Sequence, residues 1–223
     1  SGDCTIDGGG EPCFNGFDCV LITGDGTLTF TTMGIRCGGD RFDLPALMVA
    51  GDVTVVCPDM ELLSNGNAPA YTQLGGTVYT DWMQVNGEVL VADGLLLARQ
   101  LLEAKACTFR GGVALIDEYN VDSAAAIVMS GGQAYFNGEL PKESTIEGGA
   151  GTLAAANLAS VTANSYNATL LDNEQDGGAY YQTAFSEEWA PVDGESVMWD
   201  GLCAAQVEPL CWFGGTMKLN GAA

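Results

Sequence analysis

The chain has 223 residues, of which 47% are hydrophobic and 16% charged, and its 29 acidic and seven basic residues give a net charge of −22. That apolar content excludes a disordered chain, which lacks the surface needed to offset ordering entropy. The charge excludes nucleic acid as a partner, because phosphates would be repelled, and no apolar run is long enough for membrane insertion.

The cysteines cluster towards the two ends of the chain. No histidine and no pair of Cys-x-x-Cys motifs accompanies them, which excludes zinc-ribbon, haem-attachment and redox-motif interpretations. An even number of cysteines instead predicts disulfides, with the pairing left open, and an oxidising compartment. We therefore expect a secreted protein, extracellular or at the cell surface, whose signal peptide has been removed before Ser1. The eight residues are Cys4, Cys13, Cys19, Cys37, Cys57, Cys107, Cys203 and Cys211.

From residue 21 onward, stretches of alternating apolar residues are interrupted by a glycine step at least five times. A coil of roughly two dozen residues, built from short strands and turns, is the unit that a β-helix repeats. A β-sandwich is the alternative, but hairpin dipeptides such as Asn-Gly do not occur at regular sites. The glycine steps are Gly26, Gly51, Gly87, Gly112 and Gly132, with Gly76 lying 25 residues after Gly51.

The pattern predicts an all-β fold, a right-handed parallel β-helix (solenoid) with disulfide-stapled N- and C-terminal ends. We expect one domain over residues 1–223, with an N-terminal cap at 1–20, coils at 21–180 and a C-terminal cap at 181–223. A cap is needed because the end coil of a solenoid presents unpaired strand edges.

Residues 94–106 depart from the pattern. This segment is rich in strong helix formers, with apolar residues at helix-like spacing, so a short helix is one interpretation. The alternative is a buried strand followed by another coil. We favour the strand, because neighbouring strands often override helix propensity.

Two segments carry a family resemblance. Thr5-Ile6-Asp7-Gly8-Gly9-Gly10, followed by Gly24-Asp25-Gly26-Thr27-Leu28-Thr29-Phe30, resembles the opening coils of right-handed parallel β-helix proteins of the polymorphic outer-membrane and adhesin type, in the pectate-lyase-like superfamily. Residues 107–109 and 120–127 resemble the Cys-Thr-Phe and Asn-x-Ala-x-x-Gly-Gly-Ala-Ile elements of that family, with alanines where the family has paired glycines. The resemblance covers residues 4–30 and, more weakly, 107–140. It implies the fold and not an activity, because β-helices include lyases, hydrolases, adhesins and fibres.

The residues offer little for catalysis, so we assign no catalytic residue and lean towards a protein that is not an enzyme. The lack of histidine excludes a His-dependent triad, and the lysines Lys105, Lys142 and Lys218 lie in no recognisable motif. Glycoside hydrolysis needs two carboxylates across the scissile bond. The acidic candidates near coil corners are Asp52, Asp59, Asp81, Asp93 and Asp117, and solvated turn residues are the favoured interpretation of them.

One acidic segment resembles a calcium loop. Asp172, Glu174 and Asp176 stand at alternate positions with Gly177 in the sixth, but Thr183 occupies the twelfth, where a bidentate Glu is expected. An ordinary acidic loop is favoured, and calcium is the one candidate cofactor. Separately, Asn167 begins an Asn-x-Thr sequon, which makes it a candidate glycosylation site.

Two further groups of side chains could form binding faces. Aromatic rings cover the apolar faces of sugars, which makes a sugar-binding face one interpretation of Tyr79, Trp82, Tyr119, Tyr135 and Tyr166. Packing inside the solenoid is the favoured one. A threonine group is the second, and an ice-binding array is one interpretation of it. The strand preference of threonine explains the group better. Its members are Thr27, Thr29, Thr31, Thr32, Thr77 and Thr80.

These observations favour a non-catalytic extracellular structural or adhesive protein, in the form of a self-assembling filament or surface-layer subunit. Its expected partners are further copies of itself or an extracellular polysaccharide. The alternatives are a carbohydrate-active enzyme, either a hydrolase or a lyase, and a carbohydrate- or ice-binding module. The charge of −22 would direct the enzyme towards an uncharged or cationic polysaccharide, unless calcium bridges a polyanionic one.

Overall fold

A computed structural model gives the conformation of the chain. It describes residues 2–31, 33–39, 43–64, 66–122, 124–136, 139–141 and 143–155, and beyond these only the backbone of five short strands. The described residues form strands and no helix, which confirms the all-β class. Accordingly, this part of the chain has no helix with the length and apolarity to cross a membrane.

Eight strands carry the architecture: β1 (Cys4–Asp7), β2 (Val20–Thr31), β3 (Ile35–Gly39), β4 (Leu47–Ser64), β5 (Tyr71–Phe109), β6 (Val113–Asn120), β7 (Ala126–Phe136) and β8 (Thr145–Ala155). They are followed by β9 (Thr162–Ala163), β10 (Thr169–Asp172), β11 (Pro191–Val192), β12 (Ser196–Trp199) and β13 (Thr216–Leu219). The predicted C-terminal cap at 181–223 lies outside the described residues, apart from the backbones of β11, β12 and β13.

Strands β1 to β10 belong to one sheet, in which all the pairings are parallel. Residues one coil apart lie side by side, as Cys4, Leu28, Val55 and Val78 do. Because parallel neighbours cannot be joined by tight hairpins, the chain must wind around once between them. This confirms a parallel β-solenoid and excludes a sandwich of antiparallel hairpins for the described coils.

The core is a column of inward-facing side chains. Leu28 is partly buried against this column. In later coils the residues at the same position are buried, namely Val55, Val78, Ala114, Ala134 and Leu153. In the central coils the outer side of the same wall is also buried, at Val56, Tyr79, Leu97, Leu115 and Tyr135. We call these five residues the outer apolar stripe. Burial on both faces is typical of parallel sheets and produces near-continuous apolar sequence.

Residues 94–106 form β-strand, as favoured from the sequence, and not helix. Burial on both faces explains why their sequence is almost continuously apolar. Leu95, Leu96, Leu97 and Ala98 are all buried, and they pair in register with residues 113–116 of β6. The parallel ladder satisfies the backbone of this segment, so its helix propensity is overridden.

One corner of the solenoid is a column of glycines. It contains Gly26, Gly51, Gly76, Gly94, Gly112, Gly132 and Gly151, and at each of these a Cβ atom would lie within 3 Å of a backbone oxygen of the preceding coil. Three coils have a glycine pair at this corner, so the backbones stack with no room for side chains. Five of the predicted glycine steps belong to the column, namely Gly26, Gly51, Gly76, Gly112 and Gly132. Gly87 was the wrong choice for its coil, because it packs against Ser64 and Ala70 at another position and Gly94 forms the corner.

The structure does not support disulfide-stapled ends. The six described cysteines, Cys4, Cys13, Cys19, Cys37, Cys57 and Cys107, are free. Three of them are buried in the core cluster, where a thiol behaves as a small hydrophobic group. The Cys57 thiol donates to the Asp59 carbonyl at 3.1 Å, and the Cys107 thiol lies 3.9 Å from the Tyr119 hydroxyl. Cys203 and Cys211 lie outside the described residues.

Candidate functional site: a groove beside Trp82

A groove with a volume of about 390 Å³ lies on the outer surface of the first coils. This volume falls within the range of roughly 300–1,000 Å³ that is usual for small-molecule sites. The lining combines apolar, aromatic and charged groups: Pro12, Met33, Ile35, Arg36, Asp59, Glu61 and Trp82.

The register of three strands sets the positions of the charged groups. In β4 the side chain of Met60 points into the core, so its neighbours Asp59 and Glu61 both point outward. Glu61 pairs with Arg36 of β3 on one side and with Gln84 of β5 on the other, and Asp59 pairs with Trp82. Paired residues lie about 4.7–4.9 Å apart, so these side chains form a compact patch.

An ion pair crosses the patch between Arg36 Nη2 and Glu61 Oε1, at 3.2 Å. Both side chains are partly exposed, with 44% and 30% of their surface accessible. Such a pair contributes at most about 1 kcal/mol to stability. Its main effect is to hold a guanidinium and a carboxylate at the groove in a fixed arrangement.

The groove depends on a glycine. Gly34 has φ = +62° and is buried where a Cβ atom would overlap the carbonyl of Asp59. Only glycine allows the chain to turn into β3 at this distance from β4. The turn brings Met33, which is exposed, to the edge of the groove.

Trp82 is the aromatic residue of the predicted sugar-binding group that lines the groove. Tyr79, Tyr119 and Tyr135 are buried. The Tyr119 hydroxyl donates to the Ala104 carbonyl at 2.6 Å, and the Tyr135 hydroxyl to Gln133 Oε1 at 3.3 Å. These three tyrosines therefore stabilise the solenoid, as favoured from the sequence, and Tyr166 lies outside the described residues.

Two of the five predicted acidic candidates meet beside the groove. Burial raises the pKa of Asp81 above its ordinary value of 3.8; Arg99 partly offsets this, and Asp59 adds to it. Oδ1 of Asp81 is buried and has no hydrogen-bond partner among the described residues. Asp52 and Asp93 are instead exposed at the glycine corner, where Asp93 Oδ1 accepts from the Gly94 amide at 2.8 Å, and Asp117 lies on β6.

Asp81→Asn is expected to stabilise the protein, and to do so more at pH 7 than at pH 3. An acid whose pKa is raised by folding binds its proton more tightly in the folded state, so the contribution of Asp81 to wild-type stability falls as pH rises above 3.8. The neutral amide removes that penalty. Urea unfolding of both proteins at the two pH values measures the effect, and an equal gain at both would contradict it.

The other predicted sites are not assembled in the described part of the chain. Thr27, Thr54 and Thr77 do stack in register, which the sequence did not predict, but the neighbouring column continues from Thr29 with Val56 and Tyr79. The threonines therefore form a single column and not a broad array. Over the same residues, no three His, Cys, Asp or Glu side chains come close enough to hold a metal.

The side chains of the candidate calcium loop are not described: Asp172 ends β10, while Glu174 and Asp176 lie outside the described residues. Asn167, the candidate glycosylation site, lies outside them too.

No family model matches this chain, and neither does any curated protein or solved structure. The resemblance to adhesin-type β-helices therefore has no support beyond the quoted residues and the parallel solenoid itself.

Five of the seven lining residues were not predicted from the sequence, namely Pro12, Met33, Ile35, Arg36 and Glu61. They come from three different coils. Arg36 and Glu61 are 25 residues apart, the same step as from Gly51 to Gly76, but other coils differ in length, so this spacing alone does not pair the two residues. The available signal was the alternation of Arg36 and Glu61 with buried Ile35 and Met60, which places these two on the outside but does not bring them together.

Proposed function

We propose that this chain is a non-catalytic, secreted adhesive module, a right-handed β-helix that binds a saccharide in the groove beside Trp82. Right-handed winding is proposed because crossovers between parallel strands are nearly always right-handed. The observation that carries the proposal is the half-buried Trp82 indole in a groove that also contains Arg36, Asp59 and Glu61.

The chemistry of the groove suits a sugar ring. An indole face packs against the apolar C–H face of a sugar, and polar groups around it bond to the hydroxyls. Here carboxylates accept hydroxyl hydrogens, and the Arg36 guanidinium donates to hydroxyl oxygens. The net charge of −22 disfavours polyanionic glycans, so we expect a neutral or amino-sugar ligand.

Binding without cleavage is favoured by the state of the carboxylates. Hydrolysis needs two of them facing the scissile bond from opposite sides. Glu61 is held by Arg36 at 3.2 Å, and Asp81 does not line the groove. Among the described lining residues, Asp59 is the one carboxylate outside the Arg36–Glu61 ion pair, and one is too few for hydrolysis.

Self-association is a second candidate function, favoured by a different observation. Strand β1 pairs with β2 on one side, and its other edge has no strand partner among the described residues. Such an edge can pair with another chain, as a filament or surface-layer subunit requires. Sedimentation of the full chain over a range of concentrations tests this, and a monomer at all concentrations would exclude it.

Trp82→Ala is expected to weaken saccharide binding by about 30-fold or more, the usual effect of removing a tryptophan that dominates a binding site. Glycan-array screening of the wild type identifies the ligand, and calorimetry then measures both proteins. Leu74→Ala is the control, because Leu74 is an exposed hydrophobic residue that does not line the groove. This substitution should leave the affinity for the saccharide unchanged.

The same ligand should remain uncleaved after long incubation, with no new reducing ends. Cleavage would replace the adhesive proposal with the hydrolase alternative. Absence of binding to any neutral or amino-sugar glycan, or equal affinity in Trp82→Ala, would refute the saccharide site.

A further inference from the structure

We infer that the outer apolar stripe is a docking surface, and that its occupant is the small sheet formed by β11, β12 and β13 near the C-terminus of the same chain. This inference is independent of the saccharide site, which is lined by other residues. It rests on the burial of the stripe, on the path of the chain beyond it, and on the register of the small sheet.

The stripe is buried although its side chains point away from the core. At most 5% of any of its five residues is exposed, and none of them belongs to the core cluster. Leu21 and Leu74 also face outward from the solenoid, yet they are 58% and 46% exposed. Neighbours in the same ladder therefore do not bury an outward-facing leucine, and another part of the chain must lie over the stripe.

No described segment is placed to supply that cover. Strands β4, β5 and β6 pass through the stripe and continue without a break into the next side of the solenoid. On the other side of the stripe, each coil turns at the glycine column. The described connections join the sides that do not carry the stripe, and they lie at 43–46, 66–70, 121–122 and 124–125. The cover therefore comes from residues beyond β8.

The column that contains the stripe shows from which end the cover arrives. It begins with Thr5, which is exposed, and Thr29, which is half-buried and pairs with Val56. Beyond the stripe the register continues through Ala154 to Leu171 of β10. The first coils are thus left uncovered, and the chain leaves β10 beside the other end of the stripe. Residues 173–223 follow from there, so they reach the stripe by folding back along it.

The small sheet has an apolar face. Its strands β11 and β12 are antiparallel, and β12 and β13 are parallel. Val197 pairs with Met217, and Trp199 pairs with Leu219. Alternate residues of a strand belong to the same face of a sheet, so these four residues share one face, and Lys218 belongs to the other. A sheet with one apolar face must bury it against another element.

The two surfaces suit each other in size and chemistry. The stripe crosses five coils, a distance of roughly 19 Å at the usual strand spacing. It is widest in the middle, where Leu95 and Val113 are also buried on the same outer side. A sheet of three strands with two to four residues each can cover this area, and sheets pack in this way about 10 Å apart with interdigitated side chains. A second copy of the chain is disfavoured as the occupant, because the stripe is already buried within one chain.

Photo-crosslinking of the full chain tests the inference. p-Benzoylphenylalanine is placed at position 135, where it replaces Tyr135 of the stripe, and the irradiated protein is digested with Glu-C protease under reducing conditions. The probe then lies in peptide 119–139, while β12 and β13 lie in peptides 196–208 and 209–223. We expect the probe to be joined to one of these two peptides. The same probe at exposed Leu21 should be joined to neither.

A substitution on each face of β12 provides the matched comparison. Trp199→Asp should lower the yield of this cross-link by roughly 10-fold or more, because a carboxylate is costly to bury in an apolar interface. Met198→Asp makes a similar exchange on the opposite face and should leave the yield unchanged. Circular dichroism shows whether both variants keep the solenoid. If Trp199→Asp does not fold, the destination of the cross-link in the otherwise unchanged protein decides alone.

Four results would overturn the inference. They are a cross-link from position 135 to a second copy of the chain, a cross-link to residues 173–190 or to a described segment outside the neighbouring coils, no cross-link at all, and equal yields in folded Trp199→Asp and Met198→Asp.

Discussion

Gly112→Ala is expected to destabilise the solenoid by about 2–5 kcal/mol. Gly112 has φ = +66°, a conformation that costs an L-residue roughly 1–2 kcal/mol. An added Cβ would also lie 2.3 Å from the carbonyl oxygen and 2.7 Å from the amide nitrogen of Gly94. These are backbone atoms of the preceding coil, and moving them would disturb the ladder, at a further cost of about 1–3 kcal/mol. Urea unfolding followed by circular dichroism measures the loss.

Gly9→Ala is the matched control for this prediction. Gly9 has nearly the same φ, +64°, but no atom lies within 4 Å of its Cβ position. Its substitution should therefore cost only the conformational part, about 1–2 kcal/mol. Equal losses in the two variants would show that the close stacking of the glycine column does not contribute to stability.

Leu115→Asp is expected to destabilise the protein by about 4 kcal/mol or more, enough to unfold many domains of this size. Leu115 is fully buried on the outer side of β6, between Leu97 and Tyr135 in neighbouring coils. The substitution removes a buried leucine, which alone costs about 2–5 kcal/mol, and places a carboxylate in an apolar environment. Thermal unfolding and the amount of soluble protein measure the effect.

Leu21→Asp makes the same exchange on another outward-facing leucine. Leu21 is 58% exposed on β2, so its substitution should change stability by about 0.5 kcal/mol or less. If Leu115→Asp were equally mild, the outer apolar stripe would not be buried in solution. The conclusion that both faces of this part of the sheet are buried would then be wrong.

The parallel solenoid was predictable because two signals agreed. Alternation identified the strands, and glycine marked a corner where only a residue without Cβ fits, as Gly112 shows. The corner of one coil was misassigned to Gly87 because coil length varies. The step from Leu28 to Val55 is 27 residues, while that from Ala114 to Ala134 is 20. A fixed period therefore cannot identify every corner.

Residues 94–106 show where alternation fails as a signal. Both faces of this wall are buried, so Leu95, Leu96 and Leu97 are all apolar and the period of two disappears. What remains resembles the sequence of a buried helix. Only the pairing with β6, a contact between coils, decides in favour of the strand.

The candidate site was predictable only in part. Asp59, Asp81 and Trp82 stood out as residue types, but Arg36 and Glu61 become neighbours through a register that the sequence does not encode locally. The cysteines show a related limit. Their number and clustering suggested disulfides, whereas side-chain direction decides whether two thiols meet, and Cys37, Cys57 and Cys107 turn into the core.

The difference in coil length also bears on where a new ligand specificity could evolve. The longest steps belong to the coils that form the groove, where the chain inserts β3 and the connection between Gly39 and Leu47. Later coils are shorter, with steps of 18 residues from Leu96 to Ala114 and 20 from Ala114 to Ala134, so they have fewer residues to spare outside the walls and corners. Sequence variation can therefore accumulate at the wide end without disturbing the narrow one, which makes the Trp82 end the adaptable half of the molecule.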